Sequence, residues 1–267
     1  MTNKITRRDW TGLAAAGTLS HLLAGLVQPA HAQPAAAAPD KPRIAMLVYP
    51  DMVMLDLIGP LTVFSLLRVE LHLVWKDRQP VTNDLGLPVT PSTSYADCPA
   101  DLAVLFIPGG LKGSVALMED AQTLAFLADR GARARYVTAV CTGSLVLGAA
   151  GLLKGYRATG HWYIRDLLGA MGASVEHSRV VADRNRITGG GVTAGIDFGL
   201  TVAAKLRDEE TARLIQLVLE YDPQPPFDAG SPERAGAKLT ADVLARRQPL
   251  IDAARRNAEL AKTRLSL

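Results

Sequence analysis

Four short apolar segments, three of them followed by a stretch with helical spacing, constrain the fold of this chain most strongly. They cover residues 43–49, 70–75, 101–110 and 135–140. Their length, their content of strand-forming residues and the Pro or Gly residues near their ends are typical of buried strands. Because helical patterns separate them, the order predicts βαβ units, a parallel sheet covered by helices on both faces.

The segments become shorter after Gly155. We predict a helix over 161–173, two or three short strands over 174–191, and helices over 193–207 and 208–221. A Pro- and Gly-rich linker follows, and then a charged amphipathic helix that we expect Pro249 to break or kink. Residues 41–232 are thus predicted to form one α/β domain, and residues 233–267 a C-terminal helical extension.

Residues 1–32 have the layout of an export signal. Arg7 and Arg8 precede a mildly apolar segment that ends in Ala-His-Ala, a small-x-small pattern typical of signal peptidase sites. The paired arginines favour the twin-arginine route and predict a periplasmic protein. An alanine-rich tail on a cytoplasmic protein is the alternative. Residues 33–40 are predicted to be a flexible linker.

Charge and hydropathy limit the partners that this chain is expected to bind. Of the net charge of +3, residues 1–32 carry +2, so the remainder lacks the basic surface of a nucleic-acid-binding protein. An uninterrupted apolar run of about 20 residues, which a spanning helix needs, does not occur. We therefore expect a small-molecule substrate, no nucleic-acid partner, and no membrane partner after export.

Cys141 lies where a strand-like segment passes directly into a helix-like one. A side chain at such a turn is exposed at the top edge of the sheet. The helix amides and the positive end of the helix dipole would favour the thiolate, so we expect a lowered thiol pKa. A cysteine in this position can equally be a buried packing residue. The turn alone leaves both interpretations open.

Asp56 is a candidate proton donor, since it lies in apolar surroundings just after the first strand. Burial and a nearby thiolate would both raise the pKa of its carboxyl group, and the pair would titrate jointly. The alternative is an N-cap for a helix that begins at Pro60.

Backbone amides near Cys141 are candidate oxyanion donors. Gly109 and Gly110 follow the third strand and could direct an N–H toward the site, opposite the N–H of Thr142. The segment 188–191, Thr-Gly-Gly-Gly, precedes a helix and could bind an anion. It lacks the spacing of nucleotide-binding loops.

The other cysteine and the histidines point to no second site. Cys98 lies in a polar loop and is interpreted as structural. An exported protein could pair Cys98 with Cys141 in a disulfide, but folding before export would protect buried thiols, and we expect free thiols. No histidines or cysteines have metal-ligand spacing. For His161 we favour packing or capping over a pocket-lining role.

Five motifs together resemble the ThiJ/PfpI superfamily and, within it, the isonitrile hydratases. They are "VYPDMVMLDLIGP", "FIPGG", "AVCTGSLVLGAAGLL", "TGGGVTAGIDFGL" and "LEYDPQPPFDAGSP". The resemblance extends from about Arg43 to Pro232, in order and with matching spacing. It implies a flavodoxin-like three-layer sandwich, a nucleophile-elbow cysteine and a homodimer.

The resemblance also implies an activity: conversion of an isonitrile to an N-substituted formamide, without metal or organic cofactor. It assigns the nucleophile to Cys141, the proton donor to Asp56 and a supporting role to Thr142. The backbone at Gly110, together with that at Gly109, is expected to help polarise the site. Related members with glyoxalase or protease activity commonly have histidine where this chain has Thr142. A glyoxalase- or amidase-like enzyme and a redox-sensing protein remain alternatives.

Two positions depart from the related pattern. Gly160 and Ile58 stand where relatives often have threonine, and both changes are expected to reshape the pocket. The export signal is a third departure, because the relatives in question are cytoplasmic.

Overall fold

The computed structural model describes residues 41–267. The predicted export signal and the linker over 33–40 lie outside the described residues and stay predictions. No helix among residues 41–267 is both long enough and apolar enough to cross a membrane.

A seven-stranded sheet forms the centre of the fold. Its strands are β1 (Arg43–Leu47), β2 (Glu70–Trp75), β5 (Thr93–Ser94), β6 (Val104–Ile107), β7 (Tyr136–Val140), β10 (Val180–Asp183) and β11 (Arg186–Gly189). They lie in the order β10-β11-β7-β6-β1-β2-β5, and their pairings are parallel except for β10 with β11. Two small ladders join β3 (Val81–Thr82) to β4 (Pro88–Val89) and β8 (Arg157–Ala158) to β9 (Ser174–Val175).

Helices surround the sheet, as the alternating pattern predicts. They are α1 (Met54–Ser65), α2 (Leu111–Leu117), α3 (Ala121–Arg133), α4 (Gly143–Ala149), α5 (Ala194–Leu206), α6 (Glu209–Val218) and α7 (Pro232–Arg264). The predicted α/β sandwich with a mostly parallel central sheet is confirmed.

The central strands β1, β6 and β7 are buried except for the first residue of β1 and of β7, because helices cover both faces of the sheet. All four residues of β6 are buried, which explains why it reads as a continuous apolar run. On one face Phe64, Phe106 and Phe198 meet edge-on or tilted, with ring centroids 5.4–6.4 Å apart. These contacts fix α1 and α5 against the strand that leads to Gly109.

Three local predictions are corrected by the structure. The segment predicted as a helix over 161–173 contains a 3₁₀ helix, Arg165–Met171. Helix α1 begins at Met54, before Pro60, so Asp56 lies inside its first turn and is not an N-cap. In α7 the interior residue that leaves helical dihedral angles is Gly236, with φ 80°, and not Pro249.

Helix α7 packs along the domain through a stripe of mostly small residues. Ile251, Ala254, Ala258 and Ala261 recur at helical spacing and are buried. Asn257 Nδ2 in the same stripe donates to the carbonyl of Val115 at 3.0 Å. The C-terminal extension is therefore part of the domain's packing.

Candidate active site

The site lies where three neighbouring parallel strands end. Strands β7, β6 and β1 are adjacent at the centre of the sheet, so the residues after their carboxyl ends meet at one edge. Cys141 follows β7, Gly109 and Gly110 follow β6, and the first turn of α1 brings Asp56 to the same place. The structure thus brings together all the residues that the sequence singled out for chemistry.

Cys141 occupies a strained turn whose backbone is held from both sides. Its φ is 56°, in the left-handed region that non-glycine residues rarely adopt. Its N–H donates to the carbonyl of Gly190 at 2.7 Å. Its carbonyl accepts from His161 N at 3.1 Å and from Ser144 Oγ at 3.0 Å. These bonds keep the sulfur-bearing residue in the elbow predicted from the sequence.

Two glycines allow the close approach that this elbow needs. A Cβ at Gly143 would lie 2.5 Å from the carbonyl oxygens of Ile107 and Pro108. A Cβ at Gly109 would lie 2.5 Å from Asp56 Oδ2 and 2.6 Å from the Cβ of Cys141. Only glycine therefore fits between the acid and the cysteine.

Asp56 is fully buried in the first turn of α1. Its Oδ2 accepts a hydrogen bond from Gly109 N at 2.9 Å, and its Oδ1 has no geometrically defined partner among the described residues. Burial raises the pKa of the Asp56 carboxyl to about 7, although contacts with Cys141 and the Gly109 amide act in the opposite direction. This carboxyl can therefore exchange a proton near neutral pH.

The thiol departs from the sequence-based expectation. Burial raises the pKa of Cys141 well above its ordinary value, and the charge of Asp56 raises it further. The backbone and hydroxyl of Thr142 lower it, but the desolvation is larger. The predicted lowering of the thiol pKa is therefore wrong, and the pair keeps its proton on sulfur while Asp56 is ionised.

Thr142 belongs to a buried chain of hydroxyl groups. Its Oγ1 accepts from Gly110 N at 2.8 Å and lies 2.9 Å from Ser114 Oγ. Ser114 Oγ in turn lies 3.2 Å from the hydroxyl of Tyr49, which donates to the carbonyl of Pro108 at 2.7 Å. When Ser114 donates to Thr142, the only hydroxyl proton of Thr142 is left for Cys141.

Gly109 and Gly110 use their amides differently from what the sequence suggested. The Gly109 N–H donates to Asp56, and the Gly110 N–H donates to Thr142. Both amides therefore orient side chains of the site. The oxyanion role expected for them stays a prediction.

A cavity of about 430 Å³ opens onto Cys141. Its walls are mainly apolar and aromatic, and they include Val53, Leu111, Val192 and the run His161, Trp162 and Tyr163. The opposite wall comes from residues 229–232 and from α7. The sequence predicted an extension here but gave no sign that it lines the cavity.

His161 lines this cavity, a role that the sequence analysis did not favour, and its ring also packs on Tyr163 with the centroids 3.8 Å apart. Burial, assisted by the charges of Arg247 and Arg165, lowers its pKa to about 4. The imidazole is therefore neutral at physiological pH. Its Nδ1 is buried without a hydrogen-bond partner among the described residues.

Cys98 and the segment 188–191 do not line the cavity over Cys141. Cys98 and Cys141 are both buried free thiols. Gly190, in the segment considered for anion binding, instead accepts the N–H of Cys141. Within residues 41–267, no group of three or more His, Cys, Asp or Glu side chains is placed to hold a metal ion.

The two positions that depart from the related pattern lie beside the main site. A Cβ at Gly160 would lie 2.3 Å from Ser144 Oγ, so this glycine permits the contact of Ser144 with the elbow. Ile58 lies on α1 with 37% of its surface exposed. Neither residue lines the cavity over Cys141.

Sequence reasoning missed Ser114, Tyr49 and the wall formed by α7. In the sequence pattern Ser114 and Tyr49 look like ordinary core residues. Only the short distances from Tyr49 to Ser114 and from Ser114 to Thr142 connect them to the site. The amphipathic spacing of α7 signalled packing, but not the surface against which it packs.

A buried cysteine in a left-handed strand-to-helix turn, beside a buried acid in a mostly parallel α/β sandwich, defines a class of α/β proteins with an elbow cysteine. The DJ-1/PfpI family profile matches residues 42–205, and the chain belongs to this family.

The relatives are consistent with this assignment. The chain is 51% identical to an isonitrile hydratase from Pseudomonas putida over 84% of this chain and 98% of that protein. The crystal structure of a ThiJ/PfpI family protein from Pseudomonas syringae superposes with a TM-score of 0.80. It is 49% identical and covers 86% of this chain and 98% of its own. DJ-1beta from Drosophila melanogaster has a TM-score of 0.62 at 21% identity over 68% of this chain and 100% of its own, a likeness in fold alone.

Proposed function

We propose that this protein is a cofactor-independent isonitrile hydratase that converts R–N≡C and water to the N-substituted formamide R–NH–CHO. The observation that carries the proposal is that the buried carboxyl of Asp56 and the side chain of Cys141 meet on either side of Gly109, beneath an apolar cavity. The relationship to the isonitrile hydratase of Pseudomonas putida supports it.

The first half of the reaction forms a bond between sulfur and the terminal isonitrile carbon. Ionised Asp56 accepts the thiol proton as Cys141 Sγ attacks that carbon. Asp56 then gives the proton to the same carbon, which yields the thioimidate R–N=CH–S–Cys141. Thr142 directs its hydroxyl toward the sulfur while negative charge is present there. Because one carboxyl takes and returns the proton, the step is balanced without a cofactor.

The second half of the reaction hydrolyses the thioimidate and regenerates the free thiol of Cys141. Water adds to the thioimidate carbon as its proton moves to nitrogen, giving R–NH–CH(OH)–S–Cys141. Cleavage of the carbon–sulfur bond releases the formamide, and the hydroxyl proton returns to the sulfur through Asp56. The site is then in its initial protonation state, with one water consumed.

Turnover of p-nitrophenyl isocyanide to its formamide by the purified protein tests this proposal. Cys141→Ala is expected to abolish formamide production, whereas Cys98→Ala, at the other buried free thiol, is expected to retain it. Activity that survives Cys141→Ala would disprove the covalent mechanism.

Two features disfavour the redox-sensing alternative. Sensor cysteines are typically exposed and have a low pKa. Cys141 is 2% exposed, and burial raises the pKa of its thiol. Both properties suit a nucleophile that ionises only when a proton acceptor and a substrate are in place.

We also propose that the protein is a homodimer. Leu214, Leu217 and Val218 lie on α6 with 62–78% of their surface exposed, and such a group of apolar side chains is typical of protein interfaces. Light scattering of the purified protein tests this, and a monomer at micromolar concentration would contradict it.

A further inference from the structure

We propose that Arg247 on α7 selects isonitriles that carry a carboxylate group. The inference rests on the hydratase activity proposed above and adds to it a substrate class and a specificity-determining residue.

The side chains that line the cavity include a positive charge but no negative charge. Among the residues that line the cavity over Cys141, Arg247 is the one with a permanent charge. No acidic side chain lines this cavity, and the neighbouring His161 is neutral near pH 7. An uncompensated cation in an apolar wall favours an anionic ligand group.

The side chain of Arg247 is also free of polar partners within the described part of the chain. Its guanidinium makes no hydrogen bond or ion pair with residues 41–267. By contrast, Arg179 is paired with Asp197 at 2.8 Å, and Arg264 donates to the carbonyl of Ala149 at 2.8 Å. The five donors of Arg247 are thus available to a carboxylate, which a planar guanidinium binds in bidentate fashion.

The surroundings of Arg247 define the rest of the ligand. Trp162, Tyr163, Leu239 and Val243 line the same cavity, and they suit an aromatic or branched apolar body. A ligand that places its isonitrile carbon at Cys141 and a carboxylate at Arg247 would fill the space between them. Because Arg247 is exposed at the cavity wall, we expect a moderate, salt-sensitive preference.

The test compares 3- and 4-isocyanobenzoate with their neutral methyl esters. In the unmodified protein at least one carboxylate isomer should have the higher kcat/KM. Arg247→Met should lower kcat/KM for that carboxylate about fivefold to twentyfold and change the ester less than twofold. Arg247→Lys should restore part of the preference. Arg246→Met is the matched control, because Arg246 does not line the cavity.

Equal kcat/KM for acid and ester, or a preference that survives Arg247→Met, would overturn the inference. If neither the isocyanobenzoates nor their esters are hydrated, the hydratase proposal fails, and the role of Arg247 is tested by binding instead. Calorimetry then compares the affinities of 3- and 4-formamidobenzoate with those of their methyl esters. Tighter binding of an acid that Arg247→Met removes would support the role of Arg247, and equal affinities would refute it.

Discussion

Asp56 accepts a hydrogen bond from the amide of Gly109 through Oδ2 at 2.9 Å, which leaves Oδ1 without a defined hydrogen-bond partner among the described residues. One oxygen is thereby fixed and the other is available for proton exchange beside Cys141. The arrangement depends on a strand end and a helix start that are 53 residues apart in sequence.

The activity should follow the ionisation of Asp56. Because the carboxyl must be ionised to accept the thiol proton, kcat/KM should rise with pH through an apparent pKa of about 7. Asp56→Asn should lower kcat by about 10²- to 10⁴-fold and remove this rise. Initial rates between pH 5 and 9 measure both effects. A flat profile in the unmodified protein would contradict the proton transfer.

The stability should show the opposite pH dependence. Asp56 has its pKa raised above the unfolded value, so the folded state binds more protons between about pH 4 and 7 and loses stability as pH rises through this window. Asp56→Asn should therefore become relatively more stable with increasing pH. Since one pKa unit corresponds to about 1.4 kcal/mol, the gain at pH 8 is at most about 4 kcal/mol.

Denaturant unfolding at pH 5 and pH 8 measures this difference. Cys141→Ala is a useful second variant, because removal of the thiol changes the environment of the carboxyl without removing it. A stability difference between Asp56→Asn and the unmodified protein that is the same at both pH values would show that Asp56 does not titrate in this window.

Ser114 should act through the hydroxyl of Thr142. Thr142→Val removes the donor to Cys141, and Ser114→Ala removes the group that orients it. Each substitution should lower kcat about threefold to thirtyfold, and the double variant should be little worse than Thr142→Val alone. Steady-state kinetics of the four proteins form a double-mutant cycle. Fully additive effects would show that Ser114 works independently of Thr142.

Gly109→Ala should separate the acid from the thiol. The added methyl group would lie 2.5 Å from Asp56 Oδ2 and 2.7 Å from the backbone nitrogen of Thr142, so one of them must move. We expect kcat to fall at least about 100-fold. Gly169→Ala is the control, since its methyl group would meet Val175 at an ordinary 3.8 Å. Full activity in a folded Gly109→Ala variant would contradict the geometry.

Export is proposed to depend on the paired arginines. Replacement of both Arg7 and Arg8 by lysine should retain the protein in the cytoplasm, whereas Lys4→Ala should not. Cell fractionation and the N-terminal sequence of the periplasmic protein, expected to begin at Gln33, test the assignment. A protein that still begins at Met1 in the cytoplasmic fraction would disprove it.

Sequence reasoning succeeded where local pattern carries the information. The apolar runs around Ala45, Phe106 and Ala139 predicted strands that the structure contains, because burial on both faces demands continuous apolar residues. It was less successful over 161–173, where helical spacing corresponds to a 3₁₀ helix. Short helices of this kind are fixed by tertiary packing more than by propensity.

The order of strands and helices, and the position of Cys141 at the end of a strand, were determined by the sequence itself, since both follow from residue spacing along the chain. Tertiary structure alone decided the direction of the thiol pKa. The sequence contains the helix that would lower it, but the desolvation that raises it comes from residues distant in the chain. The same holds for Arg247, which reaches the cavity only because α7 packs over the site.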